Sequence, residues 1–167
     1  METLTSKKPA LEAFLSLYDY HSKLFVNSLA GVSEKDAANR LGTKANHIGW
    51  IAGSLLYQRF SLASFVGIKD EPEGAELFKD WKGIQDDATY PSPQVYVRDW
   101  QRISPILRDA FAGLSEEELN GPDPLKMPGG NYTLFDTIMF CIDRESYCIG
   151  QIGLLRRQVG LDAMKYD

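Results

Sequence analysis

Apolar positions recur with a helical period in four long stretches of the chain, and no stretch alternates convincingly as a strand would. Leu11, Phe14, Leu15, Tyr18, Phe25 and Leu29 mark a first helix over about 9–30, opened by Pro9, where a missing N–H is harmless, and stopped by Gly31. A second stripe, Ile51, Leu55, Leu56, Ala63 and Phe65, predicts a helix over 46–67, with Asn46 as its cap and Gly67 at its end. Ser92 followed by Pro93 starts a third, over 93–113, carrying Val97, Trp100, Ile103, Leu107 and Phe111; Pro105 inside it is expected to bend it. The fourth runs over 133–160. Thr133 and Asp136 form a capping-box pair, Ile138, Cys141, Ile142, Ile149, Ile152 and Leu155 form its buried face, and Arg156, Arg157 and Gly160 suit its C-terminal end.

Between these stretches, SEKD (33–36) and SEEEL (115–119) read as short capped turns. Residues 68–91, rich in Asp, Glu, Gly and Pro, read as a long crossover pinned by Leu77, Phe78 and Trp81. The pattern predicts one all-α domain over 1–167, a four-helix bundle.

Composition narrows the function. The chain has 167 residues, 44% apolar and 25% charged, as a globular domain does. Its formal net charge is -5 with a pI near 5.1 and no basic block, so nucleic acid is not an expected partner. No apolar run resembles a signal peptide or a membrane span, and a cytoplasmic protein with no membrane partner is expected. Cys141 and Cys148 lie seven residues apart on one helix, about 10.5 Å along its axis, which is beyond disulfide reach and predicts free thiols.

Two patches carry a resemblance. RESYCIGQIGLLRRQVGL, from Arg144, is similar to the final helix of the DinB/YfiT-like metalloprotein superfamily, whose corresponding run commonly reads His-Glu-x-Tyr-His-x-Gly-Gln-Ile-x-Leu-Leu-Arg-Arg. The second patch resembles that family's Asn-His-x-x-Trp-x-x-Gly-His-Leu, followed by an arginine; this chain has Asn46, His47, Trp50, Gly53, Leu55 and Arg59 in that frame. The resemblance covers most of the chain and is weak in its middle. It implies an up-down-down-up bundle with a long crossover between the second and third long helices. It also implies a three-histidine site for zinc, nickel or a similar ion, used by family members that transfer a low-molecular-weight thiol such as bacillithiol or mycothiol, or that isomerise thiol-dependently. At the three ligand positions this chain has Ser54, Arg144 and Cys148.

Those substitutions weigh against a metal cofactor. Arginine stays protonated and has no lone pair to give, and serine is a poor zinc ligand. A guanidinium about 4 Å from a divalent ion repels it by several kcal/mol even at an effective dielectric of about 20. Ser54, Arg144 and Cys148 are therefore expected to converge as a metal-free pocket, with Gly53 leaving room beside position 54. His21, His47 and Cys141 are candidate lining residues. For His21 the plain reading is a hydrogen-bonded core histidine, and for His47 a residue fixing the start of its helix. Asp123, Asp143 or Glu145 would pair with Arg144 as structural ion pairs.

Three functional readings follow from the residues and the resemblance. The first is a bundle without metal-dependent catalysis, whose Arg-centred pocket takes a small anionic ligand. The second is a metal- or cysteine-dependent transferase acting on a thiol or small electrophile, with Cys148 activated by Arg144 and His21 or His47 as base. The third is an interaction protein whose bundle is the scaffold of a homodimer.

Overall fold

The computed structural model describes residues 6–167. In chain order it contains α1 (Lys8–Leu29), α2 (Glu34–Ala37), α3 (Ile48–Phe65), α4 (Pro93–Gly113), α5 (Glu116–Leu119) and α6 (Leu134–Gln158). Two single 3₁₀ turns, Ala75–Leu77 and Lys79–Trp81, punctuate the crossover between α3 and α4. The four long helices lie where the apolar period places them.

Their ends follow local chemistry. Ser92 accepts from the Val95 N–H with Pro93 just inside α4, and both halves of the Thr133/Asp136 capping box are made at α6. Past the C-termini, Gly67 and Gly160 take positive φ, +88° and +92°. The start of α3 differs from expectation: His47, not Asn46, is its cap. His47 has extended backbone, and its Nδ1 accepts the Trp50 N–H at 3.0 Å, standing where a serine or asparagine oxygen usually stands. The start of α1 has no cap of its own. Glu116 of α5 supplies one from afar, accepting from the Lys7 and Lys8 amides at 2.7 and 3.2 Å.

Side-chain pairings fix the topology. Lys8 reaches the Ala112 and Leu114 carbonyls while Trp100 donates to the Ser22 carbonyl, so α1 and α4 are antiparallel. Lys7 bonds Thr133 and Arg156 bonds the Asn27 and Ser28 carbonyls, so α1 and α6 are parallel. Arg144 meets Ser54 and Gln58 meets Cys141, which makes α3 and α6 antiparallel. Tyr96 packs at Gly53 and Arg102 over Phe60, which makes α3 and α4 parallel. The bundle is thus up-down-down-up, with α1 and α3 at opposite corners.

Its interior is filled by side chains from the four apolar faces, with Phe25 stacked on Trp100 at 3.9 Å between ring centroids. α4 continues as one helix on both sides of Pro105, whose ring lies on its exposed face. In the crossover Phe78 is buried and Leu77 half-buried, but Trp81 is 66% exposed and pins nothing. A left-handed backbone at Asp80 and Trp81 (φ +58° at each) turns that indole outward.

Candidate functional site

The largest fully buried polar side chain among the described residues is Arg59, on the core face of α3 and 0% exposed. Its guanidinium makes a bidentate pair with Glu145 of α6, Nε to Oε1 at 2.6 Å and Nη2 to Oε2 at 2.9 Å. Nη1 donates to Ser22 of α1 at 2.8 Å and to Ser104 of α4 at 2.5 Å. The planar cation lies between the Trp100 and Tyr18 rings, 3.5 and 4.0 Å from their centroids. All four long helices therefore meet on one charge pair.

Burial alone would push the Glu145 carboxyl up, but the charge and hydrogen bonds of Arg59, with a smaller pull from His21, hold it below the ordinary glutamate value. His21 is buried beside it, Nδ1 at 3.3 Å from Oε2. That is ion-pair distance, but the ring is not aligned for a hydrogen bond, and Nδ1 has no partner that is. His21 is buried in the core as the plain reading had it, but Nδ1 does not make the hydrogen bond that reading expected.

Beside Glu145 on α6, at the next position toward the N-terminus, is a second arginine. Arg144 is half-buried; Nη2 donates to Ser54 at 2.6 Å and Nη1 to Gln58 Oε1 at 3.0 Å. Gln58 in turn donates to the Cys141 carbonyl at 2.9 Å. Ser54 and Arg144 thus meet directly. None of Asp123, Asp143 and Glu145 pairs with Arg144: Glu145 is taken by Arg59, and Asp123 accepts from Thr137 and from the Leu125 and Met127 amides. No carboxylate lies at ion-pair distance from Arg144 among the described residues.

Cys148, the next turn on, is buried and feels the Arg144 charge. The expectation that arginine would activate it is corrected: burial outweighs that charge, and the thiol is pushed up. Cys141 is deeper still and is pushed up to about 12, mainly by burial. Both are free thiols.

His47 stands apart from this group. It lines a cavity of about 310 Å³ between α2, the start of α3 and residues 85–92. His21, Cys141, Ser54, Arg144 and Cys148 do not line that cavity. The room expected beside Gly53 is filled. A Cβ there would fall 2.3 Å from Phe78 Cζ and 2.7 Å from the Tyr96 hydroxyl, so glycine is what lets the crossover lie flat on α3.

No protein-family model matches the sequence, and neither does any curated protein. The fold is matched by the crystal structure of a DinB-like protein from Bacillus cereus ATCC 10987, with a TM-score of 0.69 over 92% of this chain and 95% of that one, at 17% identity. The chain has a DinB-like fold.

At the positions where the resemblance puts metal-binding histidines, the DinB-like bundle here offers a hydroxyl, a guanidinium and a buried thiol. They do not fit a metal. Arg144 donates hydrogen bonds into the space where a lone pair would be needed, and burial pushes the Cys148 thiol up, leaving at most one ligand of the three. Nor do the described residues gather three His, Cys, Asp or Glu side chains elsewhere that would hold one.

The buried pair was missed in the sequence, although a signal existed. Arg59 falls three and four residues from Leu56, Leu55, Leu62 and Ala63, and Glu145 is similarly spaced from Cys141, Ile142 and Ile149. Opposite charges in the middle of two apolar stripes must find each other or stay unpaired.

Proposed function

We propose that this DinB-like protein carries out no metal-dependent chemistry and that Arg144 anchors a small anionic ligand at the solvent edge of the former metal position. The arrangement of Arg144 carries this reading. Its guanidinium has five N–H donors, of which Ser54 and Gln58, both neutral, occupy two. A half-buried cation held in place by neutral partners keeps charge and directed donors for a carboxylate or phosphate. The thiol-transferase reading draws no comparable support, because Cys148 is pushed toward its unreactive form.

The test is titration of the protein with acetate or inorganic phosphate while following the Arg144 Nε–Hε resonance. A saturable shift of that signal, with no binding at this position in Arg144→Gln, is expected. A signal that stays fixed through the titration would remove the reading.

A further inference from the structure

The cavity at the start of α3 has features the bundle itself does not use. His47 is 6% exposed, and its Nδ1 is committed to the Trp50 N–H. The ring lines the cavity, and Nε2 is the nitrogen that this bond leaves free. Because Nδ1 accepts a hydrogen bond it bears no proton, so the ring carries its proton on Nε2, and burial and then the nearby positive charge of Arg40 favour this uncharged form. No described residue accepts that proton.

A further donor stands in the same wall. Gly49 lines the cavity in the first turn of α3, and its amide has no acceptor among the described residues. Such amides, with the helix dipole behind them, favour negative charge. A Cβ at position 49 would lie 3.3 Å from the Ala37 carbonyl and 3.4 Å from His47 Nδ1, so glycine keeps this corner open. Arg40 adds a full positive charge. Two of its donors hold the Ala45 and Lys44 carbonyls, and Nη1 bonds Asp86 at 2.5 Å.

Asp86 is a loosely held partner, since its side chain is 75% exposed. Glu34 adds a second carboxylate to the cavity wall, so the acids work against an incoming anion while the imidazole, amide and guanidinium favour one.

We propose that this cavity is a binding site for a small oxyanion, a carboxylate or phosphate group, held by His47 Nε2–H, the Gly49 amide and Arg40, with the Asp86 carboxylate as its internal competitor. A cavity of this volume is within the range of small-molecule sites. The proposal does not rest on the Arg144 reading, because the residues of the two sites do not overlap.

The experiment is done on the full chain carrying Arg144→Gln, so that failure at one site cannot be taken for failure at the other. Inorganic phosphate and acetate are titrated separately while the His47 imidazole nitrogens and the Gly49 amide are followed by NMR. Saturable shifts at both residues with either anion are expected. Asp86→Asn, at an exposed position, should tighten binding by removing the competitor. His47→Asn keeps a cap for α3 but removes the Nε2 donor, and should weaken binding roughly tenfold, the effect of one hydrogen bond to a charged group. Shifts that never saturate, or shifts that Asp86→Asn and His47→Asn both leave unchanged, overturn the proposal.

Discussion

Arg59 and Arg144 bridge the same two helices in opposite directions, and their surroundings give them different work. Arg59 reaches from α3 to Glu145 on α6; Arg144 reaches from α6 to Ser54 and Gln58 on α3. Arg59 is sealed, paired with a carboxylate and packed between two aromatic rings. Its donors are spent within the bundle, so it specifies how four helices register. Arg144 is half-buried and has only neutral partners. An unneutralised guanidinium contributes less to stability and leaves more for recognition, so the ligand-binding role proposed above falls to the outer arginine and the structural role to the inner one.

The largest expected effect is at the inner pair. Glu145→Ala leaves the Arg59 charge buried without a partner and should cost about 3–5 kcal/mol of unfolding free energy. Chemical denaturation measures it. Replacing both members, Arg59→Met with Glu145→Leu, should recover most of that loss, because the unpaired charge is gone. If Glu145→Ala were as mild as a surface change, the division between the two arginines would fail.

The same pair has a pH signature. The folded-state pKa of Glu145 lies below its unfolded value, so its contribution is complete above the unfolded value of about 4.3 and is lost as pH falls through the lower folded value. The acid limb of the stability curve should therefore be shallower in Glu145→Gln than in the parent protein.

Arg144→Met should be much milder. It removes two hydrogen bonds to neutral partners, half-buried Ser54 and buried Gln58, at about 1 kcal/mol each. A loss as large as that of Glu145→Ala would mean that Arg144 is structural too.

The smallest effect is on a rate. Alkylation of Cys148 should rise with pH only above the ordinary thiol range, and Arg144→Met should push that profile higher still by removing the one nearby charge that opposes burial. A profile centred below the ordinary range would reopen the cysteine-based reading.

How much of this was legible in the sequence differs by layer. Helical period and caps located all four long helices, because Thr133 with Asp136 and Ser92 with Pro93 act through bonds that are local in the chain. The start of α3 was misplaced by a residue, because histidine is rarely weighed as a cap and Asn46 stands beside it. The meeting of Arg144 with Ser54 followed from the resemblance, which aligns the two positions. The partners of Arg144 did not. Asp123, Asp143 and Glu145 are near it in sequence or plausible by charge, whereas Gln58 comes from another helix and is neutral. Nor could spacing reveal that Phe78, from a crossover without regular period, fills the space over Gly53. Pairings between helices are set by packing, which one-dimensional periodicity does not encode.

Titration with zinc most directly tests the claim that Arg144 has taken over the metal position. The parent protein should bind no zinc there. The variant carrying Ser54→His, Arg144→His and Cys148→His should bind one equivalent through three nitrogens, since positions 144 and 148 are one turn apart on α6 and position 144 meets position 54. One equivalent of zinc bound by the parent and lost on Cys148→Ala would contradict the account.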